Sequence, residues 1–194
     1  MRIHGEFKLL RRTGIQNLTD YKKYWDFLRE DFSHICGYCG KSDTIVVSRG
    51  FEIDHFVPQK IDENRINDYT NLVYSCFTCN RKKHVKWPTK DKSIYNDGVS
   101  GFIDPICKEY DEHLSRNEKG EIIPLSEVGK YMCEVAFEFN KRPISQIWKI
   151  MELNKAKKKL ANLREKLSAE EMQLYIQIDD EIENLQQFIV NKRE

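Results

Sequence analysis

Cys36-Gly37-Tyr38-Cys39 and Cys76-Phe77-Thr78-Cys79-Asn80 frame this chain, with Phe51-Glu52-Ile53-Asp54-His55 and Asn71-Leu72 between them and His84 just beyond. A Cys-x2-Cys turn brings two sulfurs within tetrahedral reach of one ion, and two such turns supply four thiolates. Zinc suits that donor set, being tetrahedral, redox-inert and thiolate-accepting. Four thiolates leave no open position for water, so the ion held by Cys36, Cys39, Cys76 and Cys79 is expected to be structural. Its loss should unfold the region it staples. The 36 residues between the pairs are more than an ordinary zinc ribbon holds, so something is inserted there. Neither pair is expected to have the strand-to-helix setting of a thioredoxin-type redox motif.

Outward from that frame, Thr44–Val47 and Phe51–Phe56 read as two short strands around a Ser48-Arg49-Gly50 turn. After a polar loop over 61–71, a helix is expected to begin near Thr70 or Asn71, or just after the second cysteine pair, carrying Asn80, Lys83 and His84. Two strands and a helix make a ββα unit. Upstream, residues 19–32 read as an amphipathic helix capped by Thr19, with Tyr21, Trp25 and Leu28 at i, i+4 and i+7. Downstream, a turn-rich stretch over 87–101 precedes a hairpin whose turn is Asn117-Glu118-Lys119-Gly120. Val128, Met132, Val135 and Phe139 then form one helical stripe. Pro143 breaks the helix, and a long arm runs from Ile144 through Leu160, Leu163 and Leu167 to Ser168. Ser168-Ala169-Glu170-Glu171 matches a capping box that starts a last helix. The expected fold is α+β: a ββα core with a zinc knuckle over 35–115, an N-terminal helical segment over 1–34, and a hairpin and helical extension over 116–194.

The chain has 194 residues, 40% of them hydrophobic, which supports a packed core. Its net charge of +1 means that any nucleic-acid contact must come from local patches. Residues 141–166 carry nine Lys/Arg against two Glu, and 168–194 carry seven Asp/Glu against two Lys/Arg. That asymmetry suits an antiparallel pair with complementary flanks, and the basic arm could also face a phosphate backbone. The opening MRIHGEFKLLRRTG lacks a signal peptide's apolar run, and no stretch is apolar enough to span a membrane, so a cytoplasmic location is expected. In that compartment paired cysteines read as metal ligands before disulfides. Cys107 and Cys133 stand alone and read as small core residues.

FEIDHFVPQK followed by YTNLVYSCFTCNRKKH resembles the HNH endonuclease family, whose site is a ββα-metal fold. The resemblance covers residues 36 to about 84. It places the family's first histidine on His55, preceded by the acidic Asp54, and its central asparagine on Asn71. The third position, usually histidine, is Asn80 here, which makes this an H-N-N variant. His84 lies one helical turn later, where some members place another ligand.

The resemblance implies metal-dependent hydrolysis of phosphodiester bonds in DNA. His55 would be the general base, since its intrinsic pKa suits proton transfer near neutrality. Asn71 would orient that imidazole. Asp54 and Asn80, with His84, would bind one Mg²⁺ or Mn²⁺. Adjacent strand residues face opposite ways, so Asp54 and His55 share one site only through a local twist or bulge, or if one acts through its backbone. Lys60, Arg81, Lys82, Lys83 and Lys86 are candidate phosphate contacts, which position a strand without reading its sequence. A looser resemblance runs from GFIDPICKEYDEHLSRNEKGEIIPLSE to EFNKRPISQIW. It is similar to extensions of small bacterial HNH effectors of Septu and retron-type antiphage defence, and implies an ATPase or other regulatory protein partner on the C-terminal helices. The contrasting reading is a non-catalytic zinc-knuckle DNA-binding or adaptor module, which the Asn80 departure supports.

Overall fold

A computed structural model describes residues 1–45, 50–161 and 167–192. The chain enters its first helical segment through Asp20, whose carboxylate accepts the Lys22 amide. Asp20 rather than Thr19 is the cap. A 3₁₀ turn, Tyr21–Tyr24, leads into helix α1 (Trp25–Asp31). The tighter opening turn sets the phase, and Tyr24, Leu28 and Phe32 become the fully buried stripe. Tyr21 and Trp25, expected on that stripe, lie at its edge, half-buried against the core.

The ββα unit forms, with different members from those expected. Strand β1 (Phe51–His55) pairs antiparallel with β2 (Leu72–Cys76), from Phe51↔Cys76 to His55↔Leu72. The segment Thr44–Val47 does not supply the partner. Thr44 and Ile45 lie outside any strand, and Val46, Val47, Ser48 and Arg49 are outside the described residues. β2 is buried along its whole length, so it shows no apolar–polar alternation. Helix α2 (Phe77–Lys83) starts inside the second cysteine pair, not at Thr70. Between β1 and β2 run two 3₁₀ turns, Glu63–Arg65 and Tyr69–Asn71, capped by Asp62 and Asp68.

Helix α3 (Tyr110–His113) and the hairpin of β3 (Leu114–Arg116) and β4 (Ile122–Pro124) follow. Helix α4 (Glu127–Lys130) continues into a π-helical turn, Tyr131–Ala136. That wider turn breaks the 3.6-residue period, so Val135 is turned out to solvent while Ala136 and Phe137 are buried. Cys133 is buried as expected, but Cys107 is exposed, on the segment leading into α3. The long arms are α5 (Ile144–Ala161) and α6 (Ala169–Asn191), the latter begun by the Ser168–Glu171 capping box. Leu163 lies outside the described residues. Complementary charge joins the arms through Lys149–Glu181, at 2.6 Å, and Lys157–Asp179. No helix among the described residues is long and apolar enough to cross a membrane.

One buried arginine ties these parts together. Arg116 donates to the carbonyls of Ile3, Gly120 and Cys39, and its guanidinium lies 4.2 Å from the Trp148 ring centre on α5. Three buried carbonyls are thereby satisfied by one fork of donors.

Candidate metal centre and active site

Cys36, Cys39, Cys76 and Cys79 are buried, and their sulfurs lie within 4.8 Å of one another. Cys39 and Cys76 sulfurs are 3.8 Å apart. A tetrahedral zinc with Zn–S near 2.3 Å requires a sulfur spacing of about 3.8 Å, so the donor set fits that ion. Gly40, at φ +70°, closes the first turn by donating to the Cys36 carbonyl at 2.8 Å. A Cβ on Gly37 would come within 2.8 Å of Phe32 and Val73, so the turn can press against the core only with glycine there. Arg142 donates to Cys79 Sγ at 3.3 Å and Cys76 Sγ at 3.9 Å. Burial opposes its charge, but the surrounding sulfurs hold its guanidinium firmly protonated. A cation there offsets the negative charge of a tetrathiolate centre.

Tyr38 connects knuckle to site. It sits between Cys36 and Cys39, and its hydroxyl donates to Asp54 Oδ2 at 2.5 Å. Lys83 Nζ reaches the same oxygen at 2.9 Å and the His55 carbonyl at 2.7 Å, with the Phe102 ring beside it. Its side chain is 0% exposed, which removes Lys83 from the candidate phosphate contacts. Both contacts of Asp54 fall on Oδ2, leaving Oδ1 as the oxygen available to a cation.

Asp54, His55, Asn80 and His84 line one depression of about 350 Å³, with Lys60 and Arg81 on its wall. Asp54 and His55 share it although they are neighbours, because β1 ends at His55 and the strand alternation stops there. The imidazole is held from several sides. Nε2 is 2.8 Å from the Ile66 carbonyl, which can only accept, so Nε2 carries the proton and Nδ1 the lone pair. Gln59, exposed above the ring, donates from Nε2 to Nδ1 at 3.2 Å. Tyr21 stands edge-on to the ring, with centroids 4.7 Å apart. Burial lowers the His55 pKa, partly offset by the Ile66 carbonyl and Asp54, so the ring is neutral at pH 7.

Asn71 does not touch the imidazole. Its buried amide donates to the carbonyls of Val57 and Arg65 and accepts the Val57 amide at 2.9 Å. It therefore pins both ends of the 56–66 loop, which delivers the Ile66 carbonyl to His55; its positioning is indirect. Asn80 Nδ2 donates to Glu52 Oε2 at 2.5 Å, which leaves the amide oxygen to face a cation. Glu52, whose other oxygen pairs with Arg81 at 3.1 Å, was not among the expected site residues. Its place two residues before Asp54 on β1 was the available signal. Gln59 and Tyr21 had none. His84, exposed at the end of α2, takes φ 46° and ψ −125°, a backbone conformation that costs a non-glycine residue about 1–3 kcal/mol.

Of the other candidate phosphate contacts, Lys82 pairs with Glu138, and Lys86 donates to the Val135 and Ala136 carbonyls, capping the π-helical turn. Lys60 and Arg81 remain beside the depression.

Residues 36–86 match the HNH endonuclease family. The matched segment, about a quarter of the chain, contains both cysteine pairs and Asp54, His55, Asn71, Asn80 and His84. No curated protein and no solved structure matches the chain. The ββα unit, stapled by a thiolate cluster, is the HNH fold, and the donor chemistry of Asp54, Asn80 and His84 (carboxylate, amide oxygen, imidazole) suits a hard divalent cation that keeps waters.

Proposed function

We propose that this protein hydrolyses phosphodiester bonds in DNA, with His55 as general base. The observation that carries the reading is the His55 ring: neutral, locked with its proton on Nε2, and sharing a depression with Asp54, Asn80 and His84 inside the HNH-matched segment. With substrate present, Gln59 swings off Nδ1 and a water takes its place. Nδ1 accepts a proton from that water as its oxygen bonds to phosphorus and the bond to the 3′ oxygen breaks. Lys60 and Arg81 hold the flanking phosphates. Asp54, Asn80 and His84 would hold a Mg²⁺ or Mn²⁺ ion, which would supply charge neutralisation at the phosphate and at the leaving oxygen.

Plasmid cleavage with added Mg²⁺ or Mn²⁺ tests the proposal. His55→Ala should lower the rate about 10²–10⁴-fold with the melting temperature unchanged. The base must be unprotonated, and its pKa lies below the ordinary 6.5. The rate should therefore rise with pH below 6.5 and be level across neutrality. A wild type as inert as His55→Ala, with both binding DNA equally, would establish the non-catalytic binding module instead.

A further inference from the structure

The catalytic depression does not end at Asn80. A second hollow of about 370 Å³ shares Tyr21, Ile53, Asn80 and Arg81 with it and extends to Lys22, Trp25, Phe51 and Glu52. Its apolar wall is aromatic and rigid. Trp25 packs edge-on against the Tyr74 ring, with centroids 5.2 Å apart, and Phe51 stacks on the same ring at 4.7 Å. Tyr74 is itself buried and fixed by its hydroxyl to Asp43 at 2.9 Å. Trp25 is not spent on the helix core, because Tyr24, Leu28 and Phe32 fill that role and leave Trp25 half-exposed. The polar wall carries Lys22, which is exposed and has no carboxylate partner among the described residues, and Arg81, which lies against both hollows and pairs with Glu52 on the same wall at 3.1 Å.

Aromatic side chains beside phosphate-binding cations make a stacking platform for nucleobases. Such faces can engage only a base that has left its own stack, since both faces of a paired base inside a duplex are covered. The hollow lies near the small end of ligand pockets, roughly 300–1,000 Å³, which suits one base. Tyr21 bridges the two hollows with its edge on His55, so a base in the second hollow belongs to a nucleotide adjoining the phosphate in the first.

We propose that this hollow takes one unstacked nucleobase next to the scissile phosphate, so that the protein acts on single-stranded or locally opened nucleic acid. The inference rests on the nuclease reading for what happens at the phosphate, but its test reads binding alone. A fluorescein-labelled 12-nucleotide oligodeoxynucleotide and a hairpin duplex of the same sequence are titrated with full-length, zinc-loaded protein without added Mg²⁺ or Mn²⁺. The single strand should bind at least about ten-fold more tightly and quench tryptophan emission. Trp25→Leu should weaken single-strand binding about ten-fold, the loss of one stacked base, and abolish the quenching. Trp25→Phe, which keeps a flat ring against Tyr74, should retain most of the affinity. Lys22→Ala should weaken binding of either probe and reduce the salt slope by about one. Melting temperature and zinc content establish that each variant is folded. Equal affinity for the two probes, no binding of either, or a folded Trp25→Leu that binds the single strand like wild type would each overturn the proposal. None of those results touches the His55 cleavage test, which stands or falls on hydrolysis.

Discussion

The four-cysteine knuckle and the depression around His55 lie at opposite ends of one short chain of contacts, and they are built on opposite terms. In the knuckle all four sulfurs are buried, and four polar side chains bond into it: His4 Nε2 to the Gly37 carbonyl, Arg116 to that of Cys39, Tyr110 to that of Tyr38, Arg142 to two sulfurs. In the depression, Gln59 and His84 are exposed, and His84 carries a strained backbone. Satisfied, close-packed groups supply stiffness, while reactive groups must stay open to substrate and tolerate strain. The two are joined at Asp54, where Tyr38 from the knuckle and Lys83 from α2 meet on one oxygen.

If rigidity lives in the knuckle, removing it should erase both regions. Cys79→Ser, or stripping the ion with a strong chelator, should cost several kcal/mol, a large share of the roughly 5–15 kcal/mol that stabilises a domain. Thermal melts and thiol titration would show it as early unfolding and newly reactive knuckle cysteines, four after chelation and three in Cys79→Ser. A Cys79→Ser protein that melts like wild type and retains one zinc would refute the division.

The joint itself comes next. Lys83→Met leaves Asp54 buried without its cation and should cost about 3–5 kcal/mol in denaturant unfolding. Asp54→Asn added to Lys83→Met should recover part of the loss, because no buried charge is then left unpaired. Were Lys83 a phosphate contact instead, stability would be untouched and the salt dependence of DNA binding would change.

Glu52 tests whether the open region has its own internal order. If it fixes the Asn80 amide, Glu52→Gln should weaken Mn²⁺ binding about ten-fold, read by electron paramagnetic resonance without substrate. In an Asn80→Asp background the same change should strengthen binding, because it removes a carboxylate facing a carboxylate. Equal losses in both backgrounds would make Glu52 a cation ligand in its own right.

These contacts also mark what the sequence could disclose. The four cysteines and the Ser168 capping box were readable because metal geometry and helix ends demand particular residues at particular spacings. β2 was missed because a strand buried on both faces has no alternation to read. Lys83 was misread because a lysine inside the run Arg81-Lys82-Lys83 looks like surface, and only the fold brings Asp54 and the His55 carbonyl against it. The stripe on α1 was out of phase because the period presumed an α-helix where the chain opens with a 3₁₀ turn. Asn71 was expected to hydrogen-bond the imidazole, but its side chain bonds the backbone of Val57, fourteen residues away, a contact only the fold brings together.

The smallest effect probes the strain. His84 holds φ 46° and ψ −125°, where glycine is at ease and other residues are not. A chain selected for stability alone would place glycine there, so the imidazole is retained at a cost. His84→Gly should relieve that cost and, after glycine's larger loss of chain entropy, raise stability by about 1 kcal/mol. His84→Ala keeps the strained backbone and should leave stability unchanged. Both variants remove the ring, so both should bind Mn²⁺ more weakly than wild type by a similar factor. A stabilised His84→Gly with undiminished Mn²⁺ affinity would show that the strain serves the exit of the chain from α2, and would take His84 out of the cation site while leaving His55, Asp54 and Asn80 in it.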